Sequence, residues 1–247
     1  MHLLLWSIAP WVVTAALPTF PLAQQVDTVR VGSRFVETDL LRPGTYVLDN
    51  FRVDGGNRTL VSRTTQTVAV RPETVEIRTT HASSSDTSHS VTVVRRRDLA
   101  MVHHQVRAPR DSTDVTVNGE YLTGWTVLPG TPTQLIALRL DHQVFPIEGQ
   151  IPWLMGLLPL EDGYQAAVPH FSEWAKQEAW DHLKVQASER VQIGETTFDC
   201  WKVDVGPLGP PGYRMTRWID KATRRVVQSA LLGPAGQTEY WSWAARP

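Results

Sequence analysis

From Thr45 onward, valine alternates with threonine and arginine in twos rather than in the threes and fours of a helix. Glycine, proline, asparagine and aspartate break that alternation at short, regular intervals, as the turns of an antiparallel meander do. Thr45–Val53 reads as a strand, Asp54-Gly55-Gly56-Asn57 as a hairpin turn and Arg58–Val70 as the returning strand. Arg71-Pro72-Glu73 turns the chain into Thr74–His81, and Ser83-Ser84-Ser85-Asp86 turns it into His89–Arg96. Leu99–Arg107 follows Asp98, and Val115–Asn118 meets Tyr121–Leu128 across Asn118-Gly119, a pair that accepts the positive φ of a tight hairpin. Strand side chains point to alternate faces, so Val68–Arg78 presents one dry face and one wet face.

The same period returns in the C-terminal half. Trp180–Ile193 and Phe198–Val203 read as strands, and Asp220-Lys221-Ala222-Thr223 reverses the chain so that Tyr213–Ile219 pairs with Arg224–Leu232. Phe198, Cys200 and Lys202 share one face; Asp199, Trp201 and Val203 share the other. Gln165–Val168 is a short strand, and Gln237–Ala244 a last one that closes or edges the sheet. Phe171–Gln177 reads as a helical turn with Ser172 as its N-cap.

One stretch breaks the pattern. Ile151–Leu160, Ile-Pro-Trp-Leu-Met-Gly-Leu-Leu-Pro-Leu, is apolar all round and too short to span a bilayer. Proline suits its first turn and Pro159 ends it, which predicts about two turns of buried helix packed on the concave face of the sheet. The expected fold is therefore mainly all-β: an antiparallel meander forming a curved open or half barrel around one short buried helix. The plug either fills the core or lines an apolar ligand cavity. In the second case Trp153, Leu154, Leu157 and Leu158, with Trp201 and Trp218 of the sheet, are the candidate ligand-binding residues.

Residues 1–23 are apolar, interrupted by Pro10, Pro18 and Pro21, and end in Ala23 before polar Gln24-Gln25. They read as a secretory signal peptide cleaved after Ala23, with an uncleaved anchor as the alternative. Residues 24–43 are a linker or partial first element, and 44–247 a single antiparallel β domain. The expected location is outside the cytoplasm, periplasmic or extracellular.

Composition bounds the function further. The chain of 247 residues is 42% hydrophobic, enough for a sizeable core, and 20% charged. A net charge of -1 argues against a nucleic-acid partner held by bulk electrostatics. Cys200 is the only cysteine, so no intramolecular disulfide forms, and a buried apolar role is expected for it.

No motif carries reaction chemistry. The sequence has no G-x-S-x-G, S-x-x-K or H-E-x-x-H, and Glu161-Asp162 reads as a solvated turn. Adjacent His103 and His104 face opposite ways in a strand, whereas His81 and His89 could meet across a hairpin. We expect no catalytic residue, no metal and no cofactor. Arg95-Arg96-Arg97 reads as a charged strand end that guards a sheet edge. Trp174, Trp180, Trp201, Trp218, Trp241 and Trp243 crowd the C-terminal half, where they pack the sheet or, if exposed together, offer faces to sugars or lipid.

The order L-x-x-G-Y in Leu157–Tyr164, V-x-I-G-E-T-T-F-D-C-W-K-V at Val191–Val203 and R-x-x-R-W-I-D-K-A-T-R-R-V-V in Arg214–Val227 resembles the DUF3108 family of exported bacterial proteins. The resemblance runs from about Leu99 to Tyr240 and implies an open antiparallel barrel, distantly similar to periplasmic lipoprotein carriers, whose curved sheet wraps a helical plug. It implies no activity. The leading expectation is a non-enzymatic, exported envelope protein that binds a hydrophobic small molecule or lipid. The alternatives are an envelope interaction module that binds protein or glycan through exposed tryptophans, and a hydrolase.

Overall fold

A computed structural model of the chain describes residues 26–146, 151–172, 177–207, 214–232 and 239–244. The signal segment expected at residues 1–23 lies outside the described residues.

The described strands form one sheet. Along the chain they are β1 (Asp27–Thr28), β2 (Gly44–Asp54), β3 (Asn57–Val70), β4 (Thr74–Ser83), β5 (Thr87–Arg95), β6 (Met101–Arg107), β7 (Ser112–Asn118), β8 (Tyr121–Val127) and β9 (Gln134–Arg139). After the only described α-helix, α1 (Ile151–Met155), come β10 (Gln165–Ser172), β11 (Gln177–Ile193), β12 (Thr196–Pro207), β13 (Arg214–Asp220), β14 (Val226–Leu232) and β15 (Glu239–Ala244). The spatial order is β1-β10-β11-β12-β13-β14-β15-β2 and on through β9, antiparallel except where β1 joins β10. The last strand is therefore no edge. β15 lies between β14 and β2 and welds the two halves of the chain into one surface.

The sheet curls without closing by strand pairing, and two backbone straps lace the gap. Val29 N donates to Ala167 O of β10 and Gly32 N to Asp98 O of the β5–β6 turn. Beside them, Phe145 N donates to Pro169 O of β10, and Met101 N of β6 donates to Val144 O. At this seam Arg95 ends β5 and Arg96-Arg97 open the β5–β6 turn, between paired strands rather than on a sheet edge. Asp98 takes both donors of Arg95, at 3.0 and 2.8 Å, and Gln143 on the strap accepts a third bond at 2.6 Å.

The concave face holds the plug. Leu154, Met155, Leu157, Leu158 and Leu160 are buried against Val68, Ile77, Val94, Val168, Leu183, Val203 and Ile219, which belong to seven different strands. Burying a leucine side chain stabilises by about 1.5–3 kcal/mol, so this cluster supplies a large share of what holds the curl. The helix is shorter than the sequence pattern predicts. It stops at Met155, and the chain continues in tight turns through Leu157 N to Leu154 O and Leu158 N to Met155 O. Gly156 and Pro159 account for the break: glycine weakens helix propagation and proline forbids it.

The helical turn expected at Phe171–Gln177 is also corrected. β10 runs on through Phe171 and Ser172, which pair with Glu178 and Gln177 of β11, so cross-strand pairing overrides the local capping signal. Residues 173–176 lie outside the described residues.

Candidate functional site

Two segments distant in sequence meet at the plug. The 3₁₀ turn Thr38–Leu40 hangs from it through Glu37 N, which donates to Leu157 O at 2.8 Å. The β13–β14 turn docks from the other side. There the Asp220 carboxylate accepts from Thr223 N at 2.9 Å and Thr223 Oγ1 at 2.6 Å, while Arg224 N donates to Asp220 O. These bonds hold Arg224 at φ 60°, a strained left-handed conformation for a residue other than glycine. The reward is contact with the plug: Arg224 Nη1 donates to Leu158 O at 3.2 Å, and the guanidinium lies 4.7 Å from the Trp201 ring centroid.

Between these segments and the sheet lies a cavity of about 150 Å³. Its apolar wall comes from Leu40, Leu41, Leu48, Val68, Trp153, Leu157 and Val226. Thr64, Gln66 and Thr79 of β3 and β4 add hydroxyl and amide groups, and Arg42, Tyr46, Thr223, Arg224 and Arg225 complete the lining. Arg42 and Thr223 are exposed, which places the mouth on their side.

The sequence-derived ligand residues separate into three environments. Trp153 and Leu157 line the cavity. Leu154 and Leu158, 1% and 0% exposed, are packed behind it as core. Trp201 is half-buried against the plug cluster, with the Arg224 and Lys221 cations over its ring. Trp218 points to the opposite face of the sheet. It packs with Val191, Cys200, Val227 and Ala230, and its Nε1 donates to Glu189 Oε1.

On that outer face the tryptophans stack on one another. Trp218 and Trp241 lie 5.7 Å apart, as do Trp241 and Trp243, and Phe51 meets Trp243 at 4.8 Å. Lys202 lies over Trp218 and Arg58 over Trp243 at 3.9 Å, so ring faces that sugars would need are shared with neighbours and cations.

The arginines of the cavity carry no sequence motif. Arg224 and Arg225 read locally as turn chemistry, and only the dense T-R-R-V-V run at a hairpin start hints that one of an adjacent pair must turn inward. Arg42 sits in the segment expected as a linker, where no periodic pattern marks it.

The histidines do not converge. His81 pairs with Ser88 and His89 with Thr80, so the two rings lie on opposite faces; His81 contacts Thr64 Oγ1 at 3.0 Å and His89 contacts Thr80 Oγ1 at 3.2 Å. His103 meets Asp114 at 2.9 Å, while buried His104 meets Thr92 Oγ1 at 2.7 Å. Among the described residues no group of three His, Cys, Asp or Glu side chains is placed to hold a metal ion. Cys200 is fully buried. Burial, with Asp220, Asp199 and Glu189 nearby, pushes its thiol up to about 12.

Comparison with known proteins adds a family and a fold. The family model described as "Protein of unknown function (DUF3108)" matches residues 46–232. A search of curated proteins finds no match. Among solved structures, the beta-barrel-like protein of domain of unknown function DUF1849 from Brucella abortus superposes with a TM-score of 0.54 at 10% identity, covering 83% of this chain and 97% of that one. The hypothetical lipoprotein YmcC from Escherichia coli aligns over 84% of this chain and 90% of its own at 14% identity, with a TM-score of 0.35.

Proposed function

The chain belongs to the DUF3108 family, and from that premise we propose that it is an exported, non-enzymatic envelope protein that holds an apolar or amphipathic, lipid-like ligand on the concave face of its sheet. The observation that carries this reading is the cavity between plug and sheet, with an apolar wall of Leu40, Leu41, Leu48, Val68, Trp153, Leu157 and Val226. A pocket of this size accepts a benzene-sized group, so it seats one end of a chain and leaves the rest of an amphiphile outside. Export rests on the pattern of residues 1–23.

Native mass spectrometry of protein purified from its own host without detergent is the test, paired with titration of a neutral fluorescent apolar probe. A discrete lipid-sized adduct and saturable probe uptake are expected. An adduct-free spectrum together with no probe response would contradict the proposal.

A further inference from the structure

We infer that the polar end of the ligand is an oxyanion, a carboxylate or phosphate-type group held at the cavity mouth by Arg42 and Arg225; the inference rests on the proposed occupancy of the cavity.

The charge balance is local and one-sided. Among the described residues Arg42, Arg224 and Arg225 line the cavity, and no Asp or Glu does. Elsewhere several arginines are matched with carboxylates, Arg63 with Asp49, Arg78 with Glu76, Arg95 with Asp98 and Arg139 with Glu120 among them. Among the described residues the cavity arginines have different partners. Arg42 Nη1 donates to the backbone carbonyls of Asp39 at 2.6 Å and Leu41 at 3.3 Å. Arg224 is committed to Leu158 O and the Trp201 ring. Arg225 lies 4.1 Å from the Tyr46 ring centroid, and its buried Nε has no acceptor among the described residues.

A second donor in the same wall is in the same state. Trp153 Nε1 is buried and has no hydrogen-bond partner among the described residues. Guanidinium and indole N–H groups only donate, so a ligand group that only accepts complements the set, and an ionised carboxylate or phosphate does so with charge. A guanidinium keeps its charge at any pH the protein meets, and walls of low polarizability strengthen its field in the cleft. A cationic or uncharged head forgoes that field.

Competition against the neutral probe tests this with four amphiphiles of one chain length: decanoate, decyl phosphate, decanol and decyltrimethylammonium. Decanoate and decyl phosphate are expected to displace the probe at concentrations about ten-fold or more below decanol, with the cationic amphiphile weakest. The ratio of decanoate to decyl phosphate affinity then separates a fatty-acid-type head from a phospholipid-type one. In Arg42→Gln and in Arg225→Gln, each checked for native circular dichroism, the anion's advantage over decanol is expected to shrink towards parity. Arg42 is exposed, so its variant gives a reading even if Arg225→Gln misfolds; Arg224 is avoided because it also anchors the plug. If decanol matches decanoate in the wild type, the head-group inference fails while the cavity reading stands. If neither the probe nor any of the four binds, both fail.

Discussion

The backbone carbonyl of Arg224 lies so close to Gly156 that a Cβ on that glycine would overlap its oxygen. The contact locks the β13–β14 turn onto the plug at the point where the helix ends, and glycine is the only residue that permits it. Gly156→Ala must push the turn away or displace the plug. We expect a loss of about 1–3 kcal/mol in urea unfolding, the usual cost of inserting a methyl group into a filled contact. A neutral outcome would mean that the turn is not seated there.

Leu154 sits behind the cavity, 1% exposed, with plug and sheet on all sides. Leu154→Ala is expected to cost about 2–5 kcal/mol, as truncation of a buried leucine does when the surroundings cannot collapse. Trp218→Ala should cost about 3–5 kcal/mol while leaving probe affinity unchanged, because its ring is on the outer face. Chemical denaturation and probe titration on both variants check this; loss of probe binding in Trp218→Ala would refute the assignment of faces.

Cys200 is expected to be silent towards a thiol reagent in the native state and to react fully in denaturant. With its thiol pushed up to about 12 by burial and three carboxylates, almost no thiolate exists near neutrality, and the reagent cannot reach the sulfur. Rapid labelling of folded protein would contradict the packing of the outer cluster.

Asp114 gives a pH dependence with a definite sign. Burial alone would raise its pKa, but hydrogen bonds from His103 and Gln105 and the charges of His103 and Arg107 outweigh it and hold the carboxyl below its ordinary value. A carboxylate with a depressed folded pKa stabilises above its unfolded pKa, and that contribution disappears as pH falls through the folded value. Asp114→Asn should therefore lower Tm at neutral pH, with the gap to wild type closing on acidification below the usual carboxylate range. A gap that stays constant down to acid would show that the carboxylate's charge plays no part.

The meander and its plug are legible in the sequence because the signals are local. Gly55-Gly56, Asn118-Gly119 and Asp220–Thr223 fix hairpins by turn chemistry, and the uninterrupted apolar run at Leu154–Leu160 stands out against strands of period two. The strand β9 is harder to see, since its Leu135 is 86% exposed beside buried Ile136 and no polar alternation marks it. The β15–β2 pairing has no local signature at all: Ser242 Oγ donates to Asn50 Oδ1 across 192 residues of chain. That long-range closure makes the last strand central and brings the Arg224–Arg225 turn opposite Arg42 and Tyr46. The cavity is assembled from five separate segments, so its arginines are invisible to any reading of one stretch. The grouping of Trp218 with Trp201 as ligand residues fails for a reason of register: Trp201 pairs with Ile219 and Lys202 with Trp218, so the two rings take opposite faces, and no single stretch reveals that pairing.

Leu48 faces the apolar wall of the cavity from the middle of β2, and a tryptophan there fills the space the ligand would use. Titrating the neutral fluorescent probe into wild type and into natively folded Leu48→Trp tests the binding claim most directly. Saturable, one-to-one uptake by the wild type and loss of that uptake in the variant are expected. No saturable uptake by the wild type, or equal uptake by both proteins, would contradict it.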